Sequence, residues 1–493
     1  MITTALPILV PFVFIIVFLF LRSSRLTQWL SLFGSSILVV VSVYLYSRVT
    51  SIGIQVLHVG GWKAPFGISL VIDHLSGIML LATSVIVLSI SVYSFSYIEK
   101  QFPFSRFYLF FFALIMGVNG AFITGDIFNL YVWFEVILMS SFVLITLGSK
   151  KAQLEGGIKY MALNIFGSLL FLAGLGLLYG QTGTLNMAHL AAILREEQHA
   201  LQVNPATILF FVAFGIKAAV FPLFFWLPAS YHTANITITS LFSGLLTKVG
   251  VYALIRVFTL FFVQDQHFWH NLILIIAGLT MLVGGLAATS QYETRKILSY
   301  HIISQIGYMI MGLGIFTPLA VAGAIFFMVH NMVAKTNTFL ISGVISRLKG
   351  TYQLKEVGGL FIQNPLLAIL FIIPALSLAG FPPLSGFFAK FILFKSGIEN
   401  HNYLITAAAL LTAMLTLYSM TKIWIEAFLK KQPDGTEANP AQNKLSVFDI
   451  LPSAILGLIS VAMGVFAGNF FGMCLEAANN LINPVLYIET MLQ

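Results

Sequence analysis

The chain has 493 residues, 59% of them hydrophobic and only 9% charged, with a formal net charge of +8 and a mean hydropathy of +0.95. Soluble domains carry about 25% charged residues, so a soluble enzyme, a disordered chain and a nucleic-acid-binding protein are all excluded. The single cysteine, Cys474, excludes an intramolecular disulfide framework and a multi-cysteine metal or iron–sulfur site.

A helical span takes roughly 20 apolar residues. In chain order such runs cover 4–21, 27–47, 71–94, 107–124, 126–148, 158–180, 205–229, 236–260, 269–289, 297–315, 319–346, 365–397, 402–428 and 449–473. They predict an all-α polytopic membrane protein with 14 transmembrane helices. The first run follows no basic residue and lacks a small-residue cleavage site, so it reads as a retained span rather than a signal peptide.

Helix 7 contains Phe221-Pro222 and Leu227-Pro228, and helix 12 contains Ala379-Gly380-Phe381-Pro382-Pro383. Proline removes a backbone donor and clashes with the preceding turn, so both helices should break. Membrane helices tolerate proline in general, but broken helices at matching positions of two halves point to a transport path. The breaks fall five helices apart, which predicts repeats of helices 4–8 and 9–13. The expected division is helices 1–3 (1–100), a first repeat (101–262), a second repeat (263–430), and a loop with helix 14 (431–493).

Of the 25 lysines and arginines, 16 fall in the loops after helices 1, 3, 5, 9, 11 and 13 or at the flanking helix ends. They include Arg22, Lys100 and Lys444. The opposite side holds five: Arg48, Lys63, Arg195, Arg256 and Lys395. The excess of basic residues on cytoplasmic loops places both termini outside the cytoplasm. The polar stretch from Lys430 to Lys444 is then a cytoplasmic loop.

Four lysines remain, Lys217, Lys248, Lys335 and Lys390, and with Glu135 they lie inside apolar spans. At 1.5 Å per residue, Glu135 is about 14 Å deep and Lys217 and Lys248 about 18 Å deep, near the middle of a hydrocarbon core about 30 Å thick. A lysine stem reaches about one helical turn, so snorkelling serves helix ends but not these mid-span positions. Each central charge costs about 2.5–3.5 kcal/mol to insert. Such groups must face the bundle interior, pair, or contact water, and they usually mark an ion or proton pathway.

Burial lowers a lysine's proton affinity and a nearby carboxylate restores it. Glu135 and Lys217 therefore form the expected switchable pair, with a static structural ion pair as the competing reading. His330 and His301 are further candidates for proton relay, or else packing residues. Asp126, at the start of helix 5, is favoured there by the helix dipole and is a weaker candidate for proton uptake. There is no phosphate-binding loop, no dinucleotide fingerprint and no zinc-type spacing. No cofactor and no resident metal are expected, and a Na⁺ site is not evident.

These residues carry a resemblance. Gly-Asp-Ile-Phe-Asn-Leu-Tyr-Val-Trp-Phe-Glu (125–135) resembles the helix 5 signature of the antiporter-like subunits shared by respiratory complex I and the Mrp multisubunit Na⁺/H⁺ antiporters. Gly-Ile-Lys-Ala-Ala-Val-Phe-Pro-Leu-Phe-Phe-Trp-Leu-Pro (215–228) is similar to helix 7, and Leu-Leu-Thr-Lys-Val-Gly-Val-Tyr-Ala-Leu (245–254) to helix 8. Ala-Lys-Thr-Asn-Thr-Phe-Leu-Ile-Ser-Gly (334–343) and Gly-Phe-Pro-Pro-Leu-Ser-Gly-Phe-Phe-Ala-Lys (380–390) resemble helices 11 and 12. Together they cover roughly residues 100–400. Wording and length are most similar to the D-type subunits of the Mrp branch.

The resemblance implies a fold with two inverted five-helix repeats. It implies Glu135 and Lys217 as the helix 5/helix 7 pair, Lys248 as the helix 8 relay, Lys335 as the helix 11 lysine and Lys390 as the terminal lysine of helix 12. Many relatives place a histidine four residues before the helix 11 lysine. Here that position is Asn331, and His330 is shifted by one.

The expected function is proton translocation within a multisubunit cation/proton antiporter of the cell membrane. It would not be an enzyme by itself. The implied partners are the larger, antiporter-like A-type subunit of an Mrp complex, small membrane subunits, H⁺, Na⁺ through the complex, and the bilayer. One rival is the pumping arm of a complex I-like NADH:quinone oxidoreductase or related membrane-bound hydrogenase, which would use the same proton line. A scaffold with vestigial charges is the other, opposed by the insertion cost.

Overall fold

The computed structural model describes residues 2–21, 24–97, 104–195, 204–433 and 445–493. Arg22, Lys100, Lys444 and most of the polar loop at 430–444 lie outside the described residues.

A 3₁₀ turn leads into α1 (Leu6–Phe20), followed by α2 (Ser24–Ile52) and a hairpin of β1 (Gln55–His58) and β2 (Ser69–Ile72). Then come α3 (His74–Tyr97), α4 (Phe104–Ile123), α5 (Ile127–Thr146), α6 (Lys151–Thr182) and the short α7 (Met187–Leu194). The next group is α8 (Asn204–Ala218), α9 (Trp226–Tyr231), α10 (Ile236–Leu260), α11 (Gln266–Ser290), α12 (Thr294–Ile315) and α13 (Pro318–Lys349). The chain closes with α14 (Leu360–Gln363), α15 (Pro365–Ala379), α16 (Ser385–Glu399), α17 (Tyr403–Trp424), α18 (Val447–Val465), α19 (Ala467–Ile482) and α20 (Val485–Leu492). Among the described residues, 12 helices are long and apolar enough to cross a membrane. Two shorter apolar helices, Asn204–Ala218 and Pro365–Ala379, are the first halves of the interrupted segments.

Every residue of α10 is buried, and nearly all of α12 and α13. A helix that is apolar all round belongs in the centre of a bundle. Around this core, α8 packs on α10 and α6, and α16, α18 and α19 pack on α13. The helices α2, α6, α11 and α17 expose large apolar side chains on one face, including Phe33, Phe166, Ile275 and Leu411, as a lipid-facing surface should.

Both expected breaks are present. α8 stops at Ala218, Ala219 takes φ +63°, and helix resumes at Trp226. The freed groups find partners: the Trp226 indole donates to the Ile216 carbonyl at 2.9 Å, and the Phe221 amide to Thr280 Oγ1 at 3.0 Å. α15 ends at Ala379, Gly380 turns the chain at φ +95°, a conformation suited to glycine, and α16 starts at Ser385.

Three expectations are corrected. Residues 71–72, read as the start of helix 3, belong to a strand at 69–72 paired antiparallel with 55–58. The run at 449–473 is two helices, because α18 ends at Val465 and α19 begins at Ala467. Arg256, counted among the five charges of the side opposite the cytoplasm, is buried on α10. Its guanidinium meets the Asp73 carboxylate in a two-pronged ion pair at 2.6 and 2.9 Å.

Candidate functional site

Lys217 is the penultimate residue of α8, 7% exposed. Its ammonium donates to Ser168 Oγ at 2.9 Å and to the Asn164 carbonyl at 3.4 Å, both on α6. It also lies 5.2 Å from the centre of the Phe134 ring on α5. The end of α8 suits a cation, since the last carbonyls carry the negative end of the helix dipole. Gly250 lets α10 approach there. A Cβ on it would stand 2.5 Å from the Ala218 nitrogen and 2.8 Å from the Lys217 carbonyl carbon. A cavity of about 20 Å³ beside Lys217, lined by Phe134, Tyr160, Asn164 and Trp226, is large enough for one water molecule.

The expected direct contact between Glu135 and Lys217 is not formed. Glu135 lies within electrostatic reach of Lys217, but the ammonium is taken by Ser168 and Asn164, and Glu135 Oε1 is buried without a hydrogen-bond partner.

Lys248, on α10, is fully buried and donates to the Ser243 carbonyl at 2.5 Å. Lys335, on α13, is fully buried, and its Nζ has no partner. It lies within electrostatic reach of both Lys248 and Lys390. Lys390, on α16, donates to the carbonyls of Leu378 at 2.7 Å and Ala379 at 3.2 Å. Those are the closing carbonyls of α15, which the break leaves without a helical partner. The ammonium also lies 5.3 Å from the Tyr308 ring centre.

His330 and His301 are both fully buried, and both lie within reach of Lys335 and Lys390. His330 Nδ1 is 2.9 Å from Ser385 Oγ, and its Nε2 is free; both ring nitrogens of His301 lack partners. Asn331, four residues before Lys335, has neither amide atom bonded, and Gln305 Oε1 is also free. The structure therefore gathers Lys248, Lys335, Lys390, His301 and His330 around α13, with Glu135 and Lys217 at the α5/α8 end.

Asp126 takes a different place. Its carboxylate caps α5, accepting from the Asn129 amide at 2.7 Å, and its backbone bridges to Asn186. That geometry matches the helix-start reading.

Sequence reasoning passed over the Asp73–Arg256 pair and three serines, Ser377, Ser385 and Ser460, that meet beside His330. Arg256 could have been found, since it lies inside the 236–260 run. The serines gave no signal, because serine in a membrane helix usually bonds its own backbone.

Many interior helices, two of them broken, with ionisable side chains buried among them: these features define a polytopic membrane protein, and buried charges of this kind usually mark an ion pathway. The comparisons narrow the class. Residues 124–416 match the family model for the transmembrane region of NADH:quinone oxidoreductase and Mrp antiporters. Residues 57–108 match the model for the N-terminus of complex I chain 5. The D-type subunit of the Na⁺/H⁺ antiporter of Alkalihalophilus pseudofirmus is 46% identical over 492 residues, 99% of each chain. A chain in the structure of the Mrp complex from a Dietzia species superposes with a TM-score of 0.90 at 29% identity, covering 100% of both chains. A chain of an archaeal respiratory complex, the membrane-bound sulfane sulfur reductase, gives 0.92 at 25% identity over 99% of each. This chain belongs to the NADH:quinone oxidoreductase/Mrp antiporter family, and within it to the group of Mrp D-type subunits.

Proposed function

We propose that this chain is the proton-translocating subunit of a multisubunit Na⁺/H⁺ antiporter, working in the cell membrane beside small membrane subunits and one larger antiporter-like chain. One observation carries the reading. Four lysines are buried inside apolar helices, two of them held at the interrupted ends of α8 and α15, where a static scaffold would have no use for them.

In this reading α8 with α9 and α15 with α16 each make one broken span. Added to the 12 long helices, they make 14. The inverted repeats run over 101–262 and 263–430, after helices 1–3 and before the last loop and helix. Both termini face away from the cytoplasm.

Protons enter near Lys217 and Lys248 and pass through Lys335, with His330 and His301 alongside, to Lys390. Approach of Glu135 to Lys217 stabilises the ammonium; its withdrawal frees the proton to move on. Like charges on neighbouring lysines repel one another, so a proton arriving at one station drives the next away. Na⁺ moves through the assembled complex.

Glu135→Ala and Lys217→Ala, each placed in the assembled complex, are expected to lower antiport in everted vesicles about a hundredfold or more, the usual scale for removing a proton-transfer group. Normal antiport from either assembled variant would rule the mechanism out. A second reading, the pumping arm of a redox-driven complex, is favoured by the likeness to the archaeal respiratory complex. Mass spectrometry of the gently purified native complex separates the two. Flavin- and iron–sulfur-bearing partners would establish the redox-driven form, and their replacement by one larger antiporter-like chain would establish the antiporter.

A further inference from the structure

We propose that Ser377, Ser385 and Ser460 carry protons between His330 and Lys390, as a hydroxyl bridge built across the break between α15 and α16. The inference rests on the proton-translocating reading above and adds residues to its path. The three hydroxyls come from three helices, α15, α16 and α18, and all are buried. They lie 3.1, 3.1 and 3.2 Å from one another. His330 Nδ1 stands 2.9 Å from Ser385 Oγ and 3.4 Å from Ser377 Oγ.

Ordinary helix serines in this chain behave differently. Ser89 and Ser240 return their hydroxyls to the carbonyls of Val85 and Ile236, one turn back, the usual arrangement for serine in an apolar helix. The three serines of the break keep their side-chain bonds for one another, for His330, and for the Gly386 amide, which donates to Ser377. The packing enforces this closeness. A Cβ on Gly386 would stand 1.8 Å from the Ser377 carbonyl oxygen and 2.9 Å from His330 Cε1.

The bridge is also placed to connect. His330 lies five residues before Lys335 on α13, and Ser377 immediately precedes Leu378, whose carbonyl holds Lys390. Each hydroxyl offers one donor and two acceptor positions, so the ring can run in either sense. A proton bound at His330 Nε2 releases the Nδ1 proton to Ser385 Oγ. Ser385 passes its own proton to Ser460 and Ser460 passes its own to Ser377, along the two 3.1 Å contacts, and Ser377 gives its proton to the neutral Lys390 amine by way of a water molecule admitted to the break. Each O–H or N–H bond formed is matched by one broken; return of the neutral His330 from its Nε2–H to its Nδ1–H tautomer, together with rotation of the hydroxyls, resets the bridge.

The test places Ser460→Ala, Ser460→Thr and the triple Ser377→Ala/Ser385→Ala/Ser460→Ala variant in the assembled complex, beside Glu135→Ala and Lys217→Ala. Antiport in everted vesicles is read in H₂O and D₂O across pH. Ser460→Ala is expected to slow exchange severalfold and to change its solvent isotope effect. Ser460→Thr, which keeps the hydroxyl, should retain the native rate and isotope effect, and the triple variant should be inactive. If the triple variant assembles but fails, or does not assemble, the Ala/Thr contrast at Ser460 decides between proton carriage and packing. Equal rates and isotope effects for Ser460→Ala, Ser460→Thr and the native chain would overturn the bridge. If Glu135→Ala and Lys217→Ala also remain active, the functional reading falls; if those two are dead while the serine variants are normal, only the bridge does.

Discussion

Lys335→Met is expected to stabilise the folded protein and to stop proton exchange with the same substitution. Lys335 is fully buried, and its ammonium has no hydrogen-bond partner. The charged groups acting on it are Lys248 and Lys390, so among the described residues no carboxylate offsets its burial. Leaving a buried donor unsatisfied costs about 1–3 kcal/mol. Methionine keeps an unbranched chain of similar length and fills the same space. The expected gain is about 1–3 kcal/mol, read as a higher midpoint of thermal unfolding of the purified complex, while antiport in vesicles falls to background. Lys390→Met supplies the contrast. Its ammonium satisfies the Leu378 and Ala379 carbonyls at the end of α15, so its loss should lower stability by about 1–3 kcal/mol as well as abolish transport. A structural role for Lys335 predicts the reverse sign: a less stable Lys335→Met that still exchanges protons. Opposite signs at two lysines of one path would show that Lys335 is kept for its chemistry at a cost in stability.

The helices were legible because composition is loud in a membrane protein. The run at 236–260 coincides with α10 to the residue, with the Asn235 side chain capping its first turn. The breaks were legible because Pro222, Pro382 and Pro383 cannot continue a helix. Less visible were elements with no long apolar signal. The hairpin at 55–58 and 69–72 is four residues a side. α19 mixes Asn469, Glu476, Asn479 and Asn480 into an apolar stretch that hydropathy reads as a continuation of α18. The lysines stood out as charges in apolar runs, but their partners did not. Sequence puts Glu135 and Lys217 on two separate helices and suggests that they pair; only the packing of α6 shows that Ser168 and Asn164 take the ammonium instead. His330 was legible as a residue and not as a contact, since Ser385 lies 55 positions further on.

Asp73→Ala is expected to destabilise the protein by about 3–5 kcal/mol, the usual result of stripping one partner from a buried ion pair. Both side chains are 5% exposed. Arg256 spends its guanidinium on both Asp73 oxygens and on Tyr252 Oη at 3.1 Å, and lies 5.4 Å from the centre of the Tyr487 ring on α20. Asp73 in turn accepts from the Ser76 amide at 2.9 Å, the pattern of a carboxylate capping α3. The pair thus ties the start of α3, the end of α10 and α20 together. The double variant Asp73→Asn/Arg256→Met keeps a capping side chain and replaces the charge with an apolar stem. It should recover most of what either single change loses, because an apolar replacement of a buried pair is often near neutral. Thermal unfolding of the native chain, Asp73→Asn, Arg256→Met and the double variant in the purified complex measures the coupling. A double variant no more stable than Arg256→Met alone would show that the two charges do not act as a pair. Antiport then sorts clamp from conduit. A clamp predicts that the stable double variant still exchanges protons, since neither side chain then needs to carry charge. Loss of exchange from a fully stable double variant would place Asp73 and Arg256 on the proton path, near the end of α10.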